Sequence, residues 1–132
     1  MATHVEHVGG TLGNLGTPGA PILHFNLAIT RSTGGHGASP VSGTANITQA
    51  IAGMAGNVTI GGLSGRAYAH GPHGLVIVLT GSFNIPPNEL VEHFEAVMVV
   101  QELNGQWSGA GSYIYTQPVV DVPVHAKVLL LA

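Results

Sequence analysis

Apolar and polar residues alternate along most of this chain with a period of two, the repeat of a β-strand that buries one face. In Pro21 to Thr30, PILHFNLAIT, the positions Leu23, Phe25, Leu27 and Ile29 fall on one face, and His24, Asn26 and Thr30 on the other. Val41 to Ala50 resumes the pattern with Val41, Ala45 and Ile47 inward, after a Gly/Ser loop over residues 31–40. The clearest signal is Val91 to Thr116, where two alternating runs flank Asn104-Gly105. Both of those residues tolerate the positive φ of a type I′ turn, so the segment predicts a two-residue hairpin. Pairing Leu103 with Gln106 sets Val100 against Gly109, Met98 against Gly111, Ala96 against Tyr113 and Phe94 against Tyr115. Large residues then meet small ones, and one face is almost wholly apolar. Trp107, Tyr113 and Tyr115 belong to that face and read as core, with Trp107, next to the turn, the most exposed of the three. The other face carries His93, Glu95, Gln101, Ser108, Ser112 and Thr116.

The remaining segments are less regular. Leu75 to Phe83 is apolar on both faces at first, as in a central strand, and follows a turn forced by Gly71-Pro72. Val58 and Ile60 suggest a strand, with Gly61-Gly62 as a bulge or bend. Residues 88–95 fit either a short helix capped by Asn88 or the start of the hairpin strand, and the hairpin pairing favours strand from about Phe94. Pro123, inside Val119 to Val124, marks an edge strand or a strand end. The apolar tail from His125 to Ala132 is expected to dock as a final strand or between copies. Residues 1–20 show no periodicity and read as a flexible lead-in to a single domain over residues 21–132. Seven to nine short strands without a firm helix predict an all-β fold, an antiparallel β-sandwich, with a closed β-barrel as the alternative.

Composition narrows the functional classes. Only 7% of the 132 residues are charged, and Arg31, Arg66 and Lys127 are the three cations. That is far below the ~25% of ordinary soluble domains. So few scattered cations cannot neutralise a phosphate backbone or an anionic membrane surface, which argues against nucleic-acid and membrane partners. Weak charge repulsion between copies makes a homo-oligomer an expectation on equal footing with a monomer. There are no cysteines, hence no disulfide framework and no thiolate chemistry. No apolar run approaches the ~20 residues of a membrane helix, and MATHVEHVGG does not read as a signal peptide. The default expectation is cytoplasmic, with leaderless export left open.

Candidate chemistry is sparse. A nucleophile elbow needs Gly-x-Ser-x-Gly, but Ser64 has Gly62 before it and Arg66 after, and Ser108 has Gln106 before it. The glycines at 34–37 and 53–65 lack Walker spacing and a following helix. Glu89, Glu92 and Glu95 lie beside His93, but on a strand only His93 and Glu95 share a face. Histidine is the over-used reactive type, with eight copies. His70 and His73 on one tight loop form half of a zinc, nickel or copper site, which would need one or two further ligands. His4 offers a second arrangement. Removal of Met1 would leave Ala2-Thr3-His4, whose amine, amides and imidazole suit square-planar copper(II) or nickel(II). Neither arrangement dictates a cofactor, and no catalytic residue is assigned.

The segments TPGAPILHFNLA (Thr17 to Ala28), SGTANITQA (Ser42 to Ala50), LTGSF (Leu79 to Phe83) and WSGAGSYIYT (Trp107 to Thr116) together resemble a family of small bacterial all-β domains of unknown function. The resemblance spans most of the chain and implies a bacterial, β-rich domain. Its motifs are strand and turn patterns, so it supplies no active site, and the Gly/His insert at residues 34–37 lies outside them. The expected function is a non-enzymatic binding or interaction domain for a protein or glycan partner. The alternatives are a self-assembling structural protein and a histidine-based metal-binding protein.

Overall fold

The computed structural model describes residues 3–17, 19–32, 38–51, 54–85, 90–115 and 118–129. They form eight strands: β1 (Thr3–Leu12), β2 (Ile22–Ser32), β3 (Ala38–Ile51), β4 (Met54–His70), β5 (Gly74–Ile85), β6 (Leu90–Leu103), β7 (Gln106–Ile114) and β8 (Pro118–Leu129). Each pairs antiparallel with its sequence neighbour, and β1 also pairs with β8, so the meander closes into a barrel. The sandwich expected from the sequence is therefore replaced by its alternative. The physical reason lies in β1. Residues 3–12, expected within the lead-in, bury Val8 and Leu12 completely and give β8 its second neighbour through pairs running from His7–Leu129 to Leu12–Val124. For the same reason β8 is not an edge strand. Its pairing with β1 starts at Val124, one residue past Pro123, and the Pro123 carbonyl accepts the Gly13 N–H at 3.0 Å.

The interior is a packed core. Among the described residues, twenty-four buried apolar side chains form one cluster, and no polar or charged residue is buried as a whole. Leu23, Phe25, Leu27 and Ile29 from β2 point inward as the alternation requires, as do Val41, Ala45 and Ile47 from β3. The hairpin forms in the predicted register, from Leu103–Gln106 through Val100–Gly109 and Met98–Gly111 to Ala96–Tyr113, with φ of 54° at Asn104 and 74° at Gly105. Strand β6 begins at Leu90, which settles the 88–95 ambiguity for strand from that residue on. Trp107 departs from expectation: it is only 2% exposed, because the barrel closes over the hairpin's inner face. The predicted bulge at Gly61-Gly62 is present, with a register shift between Gly61 and Ser64 and φ of 61° at Gly62.

Closure also staggers the strands, as it must in any barrel. The row of paired residues that starts at Gly10 passes Phe25, Ala45 and Ile60 and reaches β5 beside Ser82. Followed the other way through Ala126, Trp107 and Glu102, the same row reaches β5 beside Gly74. The barrel axis therefore runs diagonally across the paired rows, from β4 near the chain termini toward β7 at the opposite end. Residues on one such diagonal of the outer wall face the same direction.

Candidate functional site

Side chains can act from three places on this fold: the end of the barrel carrying the termini, the opposite end, and the outer wall. At the terminal end, the last inward positions of β1, β2 and β6 are Glu6, Arg31 and Glu102. The Arg31 guanidinium donates through Nη2 to Glu6 Oε1 at 3.1 Å and to Glu102 Oε2 at 3.3 Å. Trp107 Nε1 donates to the same Glu102 oxygen at 2.8 Å. One cation thus holds two carboxylates over the core, and the indole N–H finds its acceptor without leaving it. Arg31 Nε is buried without a partner, so the cluster is a plug with one unmet donor. The plug lines a depression of about 130 Å³ closed on one side by Gly71, Pro72 and His73.

The opposite end is closed by aromatic rings. Tyr115 lies 5.8 Å from Tyr113 and 6.5 Å from Phe83, centroid to centroid, and Phe94 lies 6.2 Å from Tyr113. The Tyr115 hydroxyl donates to Gln49 Oε1 at 3.1 Å, and Gln49 Nε2 donates to the Gly19 carbonyl. The Tyr113 hydroxyl is buried without a partner. Desolvation by burial, followed by the neighbouring Tyr115, pushes that phenol well above the ordinary tyrosine range.

The histidines singled out as metal ligands stay on the surface. His70 ends β4 and His73 lies in the turn to β5, both exposed. The His73 carbonyl accepts the Glu102 N–H at 2.8 Å, so the turn is held by its backbone. His4 sits near the start of β1, exposed and at the same end of the barrel. The described residues hold no group of three or more His, Cys, Asp or Glu side chains placed to bind a metal. Met1, Ala2 and His36 lie outside the described residues, and with them the amine half of the copper arrangement. His93 and Glu95 do share a face, with Nε2 and Oε1 2.9 Å apart.

The outer wall is two-sided. Across β2, β3 and the adjoining part of β4 at Thr59 it is polar and uncharged, and a depression of about 330 Å³ is lined there by His24, Asn26, Thr44, Ala45, Asn46 and Thr59. Across β4 to β7 it carries an apolar patch flanked by polar positions that include Arg66 and Glu95. Tyr68, Val78, Val97, Val99 and Ile114 are all outward and between 38% and 54% exposed. Arg66 pairs with Val78 and Val78 with Val97, whereas Tyr68 pairs with Val76 and Val76 with Val99. These residues are therefore contiguous. Tyr68 on β4 and Ile114 on β7 lie on the axial diagonal, with Val78 and Val97 between them. Periodicity could not flag this surface, because it assigns the apolar positions of a half-buried strand to the core and these are the extra ones. The available signal was the run Val97 to Val100, apolar on both faces.

No curated protein matches the chain. A family model described as a domain of unknown function, DUF1842, matches residues 6–119, and the chain belongs to that family.

Proposed function

We propose that this protein is a non-catalytic interaction domain that binds a protein partner through the apolar wall of β4 to β7. The observation that carries the reading is the axial stripe Tyr68–Val78–Val97–Ile114. Large apolar side chains there stand in water on a protein whose core is already complete. Contiguous exposed apolar surface of this kind marks interaction sites, whereas isolated exposed valines do not. Two further features support it. The interior is filled by side chains, which leaves the wall and the ends for recognition. Arg66, Glu95, Lys127 and Asn26 all lie outward on the wall, which suits a water-facing barrel better than one spanning lipid with an outer apolar band. Among the described residues, no helix is long and apolar enough to cross a membrane.

A photoreactive amino acid placed at Val97, with a control at Thr59 on the polar wall, tests the proposal in cells. Adducts specific to position 97 are the expected outcome, and equal labelling at the two positions would sink it. A second reading, a neutral glycan on the polar wall, rests on the amide- and hydroxyl-lined depression at His24, Asn26 and Asn46. Titration with neutral oligosaccharides that shifts the amide resonances of Asn26 and Asn46 would support it.

A further inference from the structure

We infer that the occupant of the apolar wall is a second copy of this chain, packed side by side and antiparallel about a two-fold axis that crosses the wall at Val97. This rests on the reading of that wall as an interaction surface and adds the partner's identity. The argument is self-complementarity, which a two-fold interface requires of its surface. Neighbouring strands are about 4.8 Å apart and same-face residues on one strand about 6.8 Å apart. On that grid Tyr68 and Ile114 are separated by about 20 Å and Arg66 and Glu95 by about 12 Å, both along the barrel axis. The midpoints of the two pairs fall at nearly the same height, level with Val97. A two-fold axis in the interface plane, perpendicular to the barrel axis at that height, sets Tyr68 against Ile114 of the second copy. It sets Arg66 against Glu95 of the second copy, twice by symmetry, and Val97 against itself. The charges are free to do this. Arg66 is exposed and makes no ion pair among the described residues, while Glu95 engages His93 through Oε1 alone.

Sedimentation velocity on the full chain over a concentration series, with circular dichroism to confirm folding, tests this. The wild type should pass from monomer to dimer, and Val97→Asp should remain monomeric while folded. Arg66→Glu or Glu95→Arg alone should weaken the dimer at least about tenfold by opposing like charges. The double reversal should recover most of the affinity, a rescue that general surface damage would not give. A wild type that stays monomeric at millimolar concentration, or a dimer indifferent to Val97→Asp and to both single reversals, would overturn the inference. If the chain is monomeric and position-97 adducts contain a different protein, the second copy is excluded while the interaction reading stands. Monomer and no position-specific adduct together remove both.

Discussion

The two polar clusters at the barrel ends obey opposite energetics, and single substitutions separate them. Glu102 satisfies Arg31 and Trp107 at once, so Glu102→Ala leaves a partly buried guanidinium and a buried indole N–H short of an acceptor. Breaking such a pair from one side costs more than the pair is worth, and about 2 kcal/mol is expected in urea denaturation. Glu102→Gln keeps an acceptor for the indole and should cost about half as much. Tyr113 is the reverse case. Its hydroxyl is already desolvated and unpaired, so Tyr113→Phe should leave stability unchanged or raise it by up to about 1 kcal/mol. Its raised pKa fixes the sign of an alkaline effect. The unfolded phenol titrates near pH 10 and the folded one above that. Stability is therefore intact below about pH 10 and falls as pH rises beyond it, because the unfolded state alone releases the proton there. Tyr113→Phe should flatten that decline, as read by denaturation at a series of alkaline pH values.

Among the elements, the β6–β7 hairpin was the most legible in sequence, because its register and its turn are local. Asn104-Gly105 demands positive φ, and the alternating runs admit one pairing that puts Phe94, Met98, Val100, Trp107 and Tyr113 on a single face. The same pairing explains Gly109, which faces Val100. A Cβ there would come within 2.1 Å of the Val99 carbonyl oxygen and 2.8 Å of the Val100 Cα. The obstacle is backbone, which cannot rotate aside, so Gly109→Ala should cost about 2 to 3 kcal/mol. Gly105→Ala, which strains only a turn at φ of 74°, should cost about 1 kcal/mol. A thermal denaturation series ranks the two, and the reverse order would mean that the inner face has room the packing does not show. Less legible was what each outer face is for. Val97 and Val99 follow the strand pattern no worse than the core positions do, and only the closed sheet reveals that they are surplus to the core. Spacing places His70 and His73 on one loop, and the carboxylate beside His73, that of Glu102, is already held by Arg31.

At the scale of the whole molecule, everything turns on β1. Its outward Gly9 and inward Gly10 break the alternation, so Thr3–Leu12 carries a weak pattern, and without it the remaining strands form an open sheet with β2 and β8 as edges. That is why the sequence points to a sandwich, and Trp107, next to the turn, is expected to be the most exposed of the hairpin aromatics. Closure changes the fold, since β1 covers the gap between β8 and β2 and inserts Val8 and Leu12 into the core. Deleting residues 1–12 is the decisive test of this dependence. Two fully buried aliphatic side chains are worth about 2 kcal/mol each, and removal also leaves two unpaired ladders. Against a typical net stability of about 5 to 15 kcal/mol, that loss is large enough to abolish cooperative unfolding. A dispensable lead-in would instead leave the thermal midpoint where it was. Circular dichroism melts of the full chain, the truncation and a Val8→Asp variant distinguish these cases. The point variant should fall between the other two, because it disrupts the packing of β1 while the strand remains present to pair.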